Sequence, residues 1–196
     1  MRKILTLALL ILAHFVYSQN TSQKIIDKEK RVAVLKVESA QLLTDLEGLR
    51  LVWIQEELDK LGYPKSEDKI QIVKHTAMTL GYSEPDEQSA WVQHIVIPEV
   101  EFANVSRTND FRIDSLVETG SAQEEDYFLK EVMPDGEIEY DGFGYDRGHL
   151  APSADFRWSQ RALSESYFYS NMSPQKPEFN RERWAELEAW VRTYVI

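Results

Sequence analysis

The tetrapeptide Asp146-Arg147-Gly148-His149 is the most informative segment of this sequence. It follows a glycine-rich approach over residues 141–145 and leads into Leu150-Ala151-Pro152-Ser153. Side chains alternate between the two faces of an extended strand, so the guanidinium of Arg147 and the imidazole of His149 share one face. A cation that binds phosphate oxygens would then lie beside a group that can take up a proton. This pairing indicates phosphodiester chemistry.

Two polar residues downstream can complete such a site. Hydrolysis of a phosphodiester requires a base for water, positive charge near the developing oxyanion and a group that holds the phosphate. His149 can be the base and Arg147 the phosphate ligand. Mg²⁺ needs few protein oxygens, so the amide oxygen of Asn180 can bind it while Glu188 orders a metal-bound water. Because Asn180 stands directly before a helix-forming sequence, a helix N-cap is the alternative role for it.

The segment from Tyr145 to Leu187 resembles the core signature of the DNA/RNA non-specific endonuclease family, the ββα-metal (His-Me finger) nucleases that include endonuclease G. One tetrapeptide alone would be a modest match, whereas several blocks in order and at family spacing are specific. Upstream landmarks extend the resemblance to about residues 70–196. The matching blocks are residues 146–152, 157–160, 169–175 and 179–188, with 90–92 and 110–114 upstream.

The resemblance implies an α+β fold with a ββα-metal finger on a mixed or antiparallel sheet flanked by helices. It implies that His149 is the general base, that Asn180 is the single direct protein ligand of a hydrated Mg²⁺, and that Glu188 orders the hydration shell. Mn²⁺ is the expected substitute metal. Asn171 would support the loop and the histidine, and Arg147 would assist at the phosphate.

The resemblance also implies an upstream arginine at the scissile phosphate. Arg107 and Arg112 both lie in that segment, and the sequence does not decide between them. Arg181 departs from the glutamine that often follows the metal-binding asparagine in the family.

Nothing in the chain indicates a recognition helix or a zinc module that would read bases. The expected activity is therefore a Mg²⁺-dependent endonuclease with DNA and RNA as substrates.

The charge of the chain argues against the simplest kind of nucleic-acid binder. The formal net charge is −11 over 196 residues, whereas a domain that binds by releasing counterions is usually basic. Residues 141–196 are nearly balanced in charge, so the acidic excess lies upstream of the candidate site. The chain has no cysteine, which excludes disulfides and thiolate metal sites and leaves oxygen or imidazole as metal ligands.

Residues 1–18 predict a signal peptide. Met1-Arg2-Lys3 is a basic start, residues 4–16 are mostly apolar, and Val16-Tyr17-Ser18 offers a cleavage site before Gln19. The apolar run is short for a bilayer span, and an uncleaved membrane anchor is the alternative. The prediction is export, to the periplasm or outside the cell.

Residues 19–66 predict a helical extension that lies outside the common part of the family. Apolar residues recur near helical spacing between Ser22 and Leu61, and Gly62-Tyr63-Pro64 predicts the stop. An amphipathic helical hairpin is the favoured interpretation. A coiled-coil dimerisation arm is the alternative, with heptads that are irregular and few. A homodimer and a helical module that binds a partner protein are the corresponding hypotheses.

Residues 67–196 predict the endonuclease domain. Apolar spacing and helix formers predict two helices, one from Asp68 to Leu80 and one from Ser159 to Tyr169. Composition predicts the other elements: a strand over 90–97, a long loop over 104–127, a turn over 133–137 and a non-helical segment over 171–177. The last helix should carry an inward-facing stripe made of Trp184, Leu187 and Trp190 or Val191.

Members of the family usually continue beyond this helix with further strands and helices. The sequence ends at Arg192-Thr193-Tyr194-Val195-Ile196, an apolar ending with the composition of a strand start. The endonuclease domain is therefore expected to be incomplete at its C-terminal end. The rival hypothesis is a truncated, inactive nuclease fragment that at most binds nucleic acid or a protein partner.

Overall fold

The computed structural model describes two compact units, Met1–Leu49 and Arg50–Ile196. The first is helical, and the second holds all the strands that are described. The described residues are 2–65, 69–102 and 105–195. For some of them only the main chain is described, namely 2–19, 130–132 and 138–143.

One uninterrupted helix, α1 (Arg2–Leu61), stands where the sequence predicts a helical hairpin. That prediction is wrong because a hairpin needs a turn, and Gly48 is the only glycine or proline between residues 2 and 61. A single glycine inside a helix costs about 1 kcal/mol, which the surrounding helix formers offset. The helix ends as predicted before Gly62, whose φ of 69° is left-handed. The predicted boundary at 66–67 lies outside the described residues.

In the first unit, α1 carries exposed apolar side chains from residue 25 onward. For residues 2–18 only the main chain is described, so the signal peptide stays a prediction. In the part of the chain that the structure describes, no helix has the length and apolar character needed to cross a membrane.

The first sheet begins with a β-hairpin where the sequence predicts a short helix over 68–80. Strands β1 (Ile70–Lys74) and β2 (Met78–Ser83) pair antiparallel, and the His75 N–H donates to the Met78 carbonyl oxygen at 2.9 Å to close the turn. The helix prediction is wrong because β-branched residues are frequent here and pack better on a pleated surface. β2 is buried along its whole length. Asp68, the predicted start, is not among the described residues.

Strand β3 (Gln88–His94) confirms most of the strand predicted over 90–97. It pairs antiparallel with β2, with a register shift between Gly81 and Tyr82. The indole of Trp91 lies directly on Gly81, where a Cβ would come within 2.3 Å of Trp91 Cε2. The bulge and the glycine together therefore let the indole approach the backbone of β2.

The predicted loop over 104–127 is confirmed for the residues described, 105–127, which hold a 3-10 turn at Glu124–Tyr127 and an isolated β-bridge from Arg112 to Phe168. A second hairpin follows, made of β4 (Phe128–Val132) and β5 (Ile138–Gly144). The turn predicted over 133–137 joins them, and Gly136 supplies its left-handed residue with a φ of 87°.

The main core of the second unit lies between the last turns of α1 and the segment after residue 150. Ile54 and Leu58 of α1 pack with Met78, Phe156 and other buried apolar side chains. Helix α2 (Gln160–Glu165) contributes Leu163 to this core and is shorter than the predicted 159–169 helix. It begins where the Ser159 side chain accepts a hydrogen bond from the Ala162 N–H at 3.1 Å.

The tetrapeptide at the centre of the sequence forms strand β6 (Asp146–His149), paired antiparallel with β7 (Met172–Gln175). The segment predicted as non-helical over 171–177 is thus largely a strand. The chain then turns into a π-helical segment, Phe179–Trp184, which continues as α3 (Ala185–Arg192). Two antiparallel strands and a helix form the expected ββα unit. The predicted α+β fold class with an N-terminal helix is confirmed.

The last helix faces the domain through its polar side. Trp184 is partly buried as predicted, but Leu187, Trp190 and Val191 are 43%, 57% and 41% exposed. The predicted inward stripe is therefore wrong for these three residues. The side chains that bond this helix to the rest of the domain are polar groups, which turns the apolar stripe outward. They are Asn180, Arg181, the indole N–H of Trp184 and Arg192.

Candidate active site

A cavity of about 610 Å³ opens beside β6. Its walls come from β6, from the loop around residues 107–111 and from the helix that follows β7. The cavity brings together most of the residues that the sequence singles out: Arg107, Arg147, His149, Asn180 and Glu188. Asn171 and Arg112 are not on its wall.

Arg147 and His149 both lie against the ring of Phe111, so they share one side of β6 as predicted. The Arg147 guanidinium carbon lies 4.0 Å from the Phe111 ring centroid, and the imidazole centroid lies 6.0 Å from it. Arg147 also donates to the carboxylate of Glu124 at 2.9 Å. A cation–π contact and an ion pair thus orient the guanidinium, a third of whose side chain stays exposed.

Gly148 stands between these two residues in the chain. A side chain at this position would point to the other face of β6, where the side chain of Gln175 of β7 lies. A Cβ on Gly148 would lie 2.2 Å from the side-chain carbonyl carbon of Gln175. Gln175 is itself buried. The glycine of the tetrapeptide is therefore required by close packing within the β6–β7 pair.

His149 is a buried, neutral imidazole. Burial first, and then the positive charge of Arg107, lower its pKa from the ordinary value to about 3. Its ring packs edge-on against Tyr167 at 5.0 Å between centroids. In the described part of the chain, Nε2 is buried without a hydrogen-bond partner. At neutral pH the side chain can accept a proton, although its low pKa makes it a weak base.

Asn171 supports the loop that follows His149 rather than the imidazole itself. Its amide oxygen accepts from the Ala151 N–H at 2.9 Å, and its amide nitrogen donates to the carbonyl oxygens of Ala151 at 3.0 Å and Ser166 at 2.8 Å. Its side chain is fully buried. Asn171 and His149 are both described, and no hydrogen bond joins the Asn171 side chain to the imidazole of His149.

Asn180 lies inside the π-helical segment, so its alternative role as a helix N-cap is wrong. The main chain is already helical at Glu178, and the Asn180 N–H donates to the Lys176 carbonyl oxygen at 2.9 Å. The amide nitrogen donates to Asp146 Oδ2 at 2.9 Å. Because that side of the amide is bonded, the amide oxygen is the group that remains for a ligand in the cavity.

Glu188 follows Asn180 by two helical turns and is partly buried. Burial, the largest effect, raises the pKa of its carboxyl group. Within the described residues it has no hydrogen bond and no ion pair closer than 4 Å. A partly buried carboxylate without a hydrogen bond is costly, so this side chain is suited to face a cation or its water shell.

A second polar cluster holds α3 beside the cavity. Asp155 accepts from Arg192 at 2.8 Å through one carboxylate oxygen, and its other oxygen lies 2.9 Å from His94 Nε2. These bonds join α3 to β3 and to the segment after β6. No sequence signal distinguishes these three residues, since they are far apart in the chain and belong to no motif.

Of the two upstream arginines, Arg107 lines the cavity and Arg112 does not. The Arg107 Nε–H donates to the Tyr167 hydroxyl oxygen at 3.1 Å. Arg112 instead donates to the Ser164 carbonyl oxygen at 2.9 Å and to Asp110, and its guanidinium carbon lies 4.0 Å from the Phe168 ring centroid. Arg112 is thus engaged away from the cavity.

Asp146 and Arg181 form an ion pair that the sequence pattern does not predict. Arg181 donates through Nε to one carboxylate oxygen and through Nη2 to the other, both at 2.8 Å. The hydrogen bond from Arg181, the largest effect, lowers the pKa of Asp146. The only sequence signal was that Arg181 differs from the family's usual glutamine.

The oxygens available in the cavity suit a hydrated hard cation. Across residues 2–65, 69–102 and 105–195, no group of three or more His, Asp and Glu side chains could enclose a metal. The oxygens on the cavity wall include the amide oxygen of Asn180 and the carboxylate of Glu188, which accepts no hydrogen bond from the described residues. Mg²⁺ binds through one or two protein oxygens and keeps its other ligands as water, so these residues fit it.

Two antiparallel strands and a helix, with a histidine on the first strand and an asparagine on the helix, define the ββα-metal class of nuclease folds. The sequence signature described as DNA/RNA non-specific endonuclease matches residues 54–196. The chain belongs to the DNA/RNA non-specific endonuclease family.

Similar proteins agree with this assignment. The chain is 30% identical over 164 residues to mitochondrial endonuclease G of Bos taurus, covering 83% of this chain and 50% of that protein. It is 32% identical over 138 residues to the Homo sapiens protein of the same name, covering 70% and 41%. EndoG in the crystal structure of the EndoG/EndoGI complex matches with a TM-score of 0.56 and 30% identity, over 69% of this chain and 51% of that one. This chain spans about half the length of these relatives or less.

Proposed function

We propose that this chain is an endonuclease that hydrolyses phosphodiester bonds of DNA and RNA with the help of Mg²⁺. The observation that carries the proposal is the single cavity on which Arg107, His149, Asn180 and Glu188 meet. It combines a proton acceptor, a cation and two oxygen ligands, which are the groups that phosphodiester hydrolysis requires.

His149 acts as the general base. Because burial lowers its pKa to about 3, the imidazole is already neutral at physiological pH and needs no prior loss of a proton. A water molecule transfers its proton to the imidazole as its oxygen attacks phosphorus. Asn171 contributes by holding Leu150 and Ala151 in place, since the Leu150 N–H also donates to the Asn171 carbonyl oxygen at 2.9 Å.

The two arginines hold the phosphate. Arg107 and Arg147 both line the cavity, and a guanidinium binds phosphate oxygens through paired N–H groups. Because Tyr167 and Phe111 orient them, little side-chain freedom remains to be lost when the substrate binds.

Asn180 and Glu188 would hold the metal, with the amide oxygen as direct ligand and the carboxylate facing the water shell. When bound, Mg²⁺ supplies positive charge to the phosphate and to the leaving 3′-oxygen. Mn²⁺ prefers similar oxygen ligands and should substitute. The bond between phosphorus and the 3′-oxygen breaks, the 3′-oxygen takes up a proton from solvent, and the products carry 5′-phosphate and 3′-hydroxyl ends.

The lack of base specificity follows from what the cavity can contact. Its cationic groups recognise phosphate, which is common to DNA and RNA and carries no sequence information.

We further propose that residues 1–18 direct export to the periplasm or the exterior. Cell fractionation with N-terminal sequencing of the mature protein tests this. A homodimer stays a prediction, to be measured by light scattering.

The test of activity is digestion of plasmid DNA and of RNA with Mg²⁺, with and without EDTA. The folded parent protein should cut both, EDTA should stop the reaction, and His149→Ala should be slower by at least about 100-fold. Lys74→Ala, a change in an exposed ion pair outside the cavity, is the control. Equal rates for His149→Ala and the parent would remove His149 as the base. A cooperatively folded parent that cuts neither substrate would favour the inactive-fragment hypothesis.

A further inference from the structure

Arg181 makes its two ionic hydrogen bonds to one carboxylate. Its Nε and Nη2 atoms donate to the two oxygens of Asp146, each at 2.8 Å, and Asp146 Oδ2 also accepts from the amide nitrogen of Asn180 at 2.9 Å. A guanidinium and a carboxylate that meet through two parallel bonds have little freedom to rotate. The carboxylate of Asp146 is therefore held in one orientation by its neighbour.

We propose that Arg181 is a positioning residue that, through Asp146, fixes the side-chain amide of Asn180 for the metal. This inference rests on the proposed function, since it assumes that Asn180 is the direct ligand. The chemical reason is that an amide can turn over so that its oxygen and nitrogen exchange places. An ionised carboxylate only accepts hydrogen bonds, so it selects the orientation that directs the amide nitrogen to Asp146 and leaves the amide oxygen for the metal.

The π-helical backbone explains how two consecutive residues reach the same carboxylate. In a π-helix the hydrogen bonds join residues five apart, so each turn holds more residues and successive side chains diverge less around the axis. Asn180 and Arg181 both lie in the segment Phe179–Trp184. The bonds of both to Asp146 therefore depend on this local geometry.

The alternative role of Arg181 is that of a third phosphate ligand. Its side chain is 69% exposed and it lines the cavity. However, the face of its guanidinium formed by Nε and Nη2 is already occupied, and Asp146 offsets its charge. Outer partners of metal ligands typically change metal affinity when they are removed, whereas a phosphate ligand would change affinity for nucleic acid instead.

The experiment measures Mn²⁺ binding to the full chain by electron paramagnetic resonance, without nucleic acid. Arg181→Ala should weaken Mn²⁺ binding by about 10-fold, and Arg181→Gln, which keeps a single donor, should weaken it less. Arg183→Ala is the matched control, because Arg183 lies on the same segment and pairs only with Glu186 at 3.3 Å among the described residues. It should bind Mn²⁺ like the parent. Binding of a DNA duplex in EDTA should change less than Mn²⁺ binding in Arg181→Ala, because only one exposed charge is lost there.

A double variant tests whether the effect passes through Asp146. Asp146→Ala should weaken Mn²⁺ binding, and Arg181→Ala added to it should cause no further loss. Parent-like Mn²⁺ binding by Arg181→Ala and Arg181→Gln, or weaker DNA binding with unchanged Mn²⁺ binding, would overturn the proposal. The proposal would also be overturned if the losses of Mn²⁺ affinity caused by Asp146→Ala and Arg181→Ala added up in the double variant. If the parent cuts nucleic acid and Arg181→Ala binds Mn²⁺ normally, only this inference is refuted. If the variants show the expected order of Mn²⁺ binding but the parent does not cut nucleic acid, only the proposed function is refuted.

Discussion

The indole N–H of Trp184 donates to the main-chain carbonyl oxygen of His149 at 2.9 Å. The helix that carries Asn180 and Glu188 is therefore bonded to the strand at the residue proposed as the base. The separation between the base and the proposed metal ligands depends in part on this one bond.

Trp184→Phe should lower the cutting rate more than it lowers the stability of the fold. The phenyl ring keeps most of the packing but leaves the His149 carbonyl oxygen without this donor, at a cost of about 1 kcal/mol in the free energy of unfolding. The rate of plasmid cutting should fall by more than the change in the folded fraction accounts for, because the helix can shift relative to β6. Urea unfolding and initial rates measure the two effects. Trp190→Phe, at an exposed position on the same helix, should change neither; equal effects of both variants would contradict the prediction.

Arg107→Ala and Arg112→Ala should fail in different ways. Arg107 lines the cavity, so its removal should lower kcat/KM by about 100-fold while the protein stays folded. Arg112 bonds to Asp110 and to the Ser164 carbonyl oxygen, so its removal should lower the melting temperature and leave the rate per folded molecule near that of the parent. Rates and melting curves for both variants provide the check. A larger catalytic loss for Arg112→Ala would show that the assignment is reversed.

Lowering the pH from about 6.5 towards 3 should destabilise the chain partly through His149. The pKa of this residue is about 3 in the folded protein and about 6.5 when unfolded. The unfolded state therefore binds the proton first, and the free energy of unfolding falls as the pH drops through this window, by up to about 1.4 kcal/mol per unit. Urea unfolding between about pH 6.5 and 5, above most of the range in which ordinary carboxylates titrate, measures this slope, and comparison with His149→Gln shows how much of it comes from His149. His149→Gln should have a flatter profile, and a slope equal to that of the parent would show that His149 is not the cause.

Gly148→Ala should disturb the β6–β7 pair. The new Cβ would overlap the buried side chain of Gln175, and overpacking of this kind costs about 1–3 kcal/mol. Adding Gln175→Ala should recover most of the loss, because it removes the atoms in conflict. Gly48→Ala, where a Cβ would meet nothing within 4 Å, should instead increase helicity by circular dichroism. A Gly148→Ala variant as stable as the parent would show that Gln175 moves aside without cost.

The sequence predicts the parts of this molecule that depend on neighbouring residues. The alternation along β6 correctly places Arg147 and His149 on one face, and Gly62 correctly ends α1, because both effects act within a few residues. The β1–β2 hairpin was missed because its stability comes from pairing and burial in a sheet, which outweigh local helical spacing.

Other features depend on contacts between distant segments and could not be read from local pattern. Arg107 reaches the cavity through a bond to Tyr167, sixty positions away in the chain, so no local rule distinguishes it from Arg112. Asn180 has the residue type of an N-cap, yet the helix begins before it. The polar anchors of the last helix are likewise set by partners on β6 and at Asp155, which reverses the face that an apolar stripe predicts.

The ring of Phe111 lies against both Arg147 and His149, and this shared wall limits how the site can evolve. A larger or smaller side chain at this position displaces the phosphate ligand and the base together, so neither can be adjusted alone by a change there. The proposed metal ligands Asn180 and Glu188 lie on a different element, the helix that follows β7. A change at Phe111 should therefore alter phosphate binding and proton transfer together, and the metal site less directly.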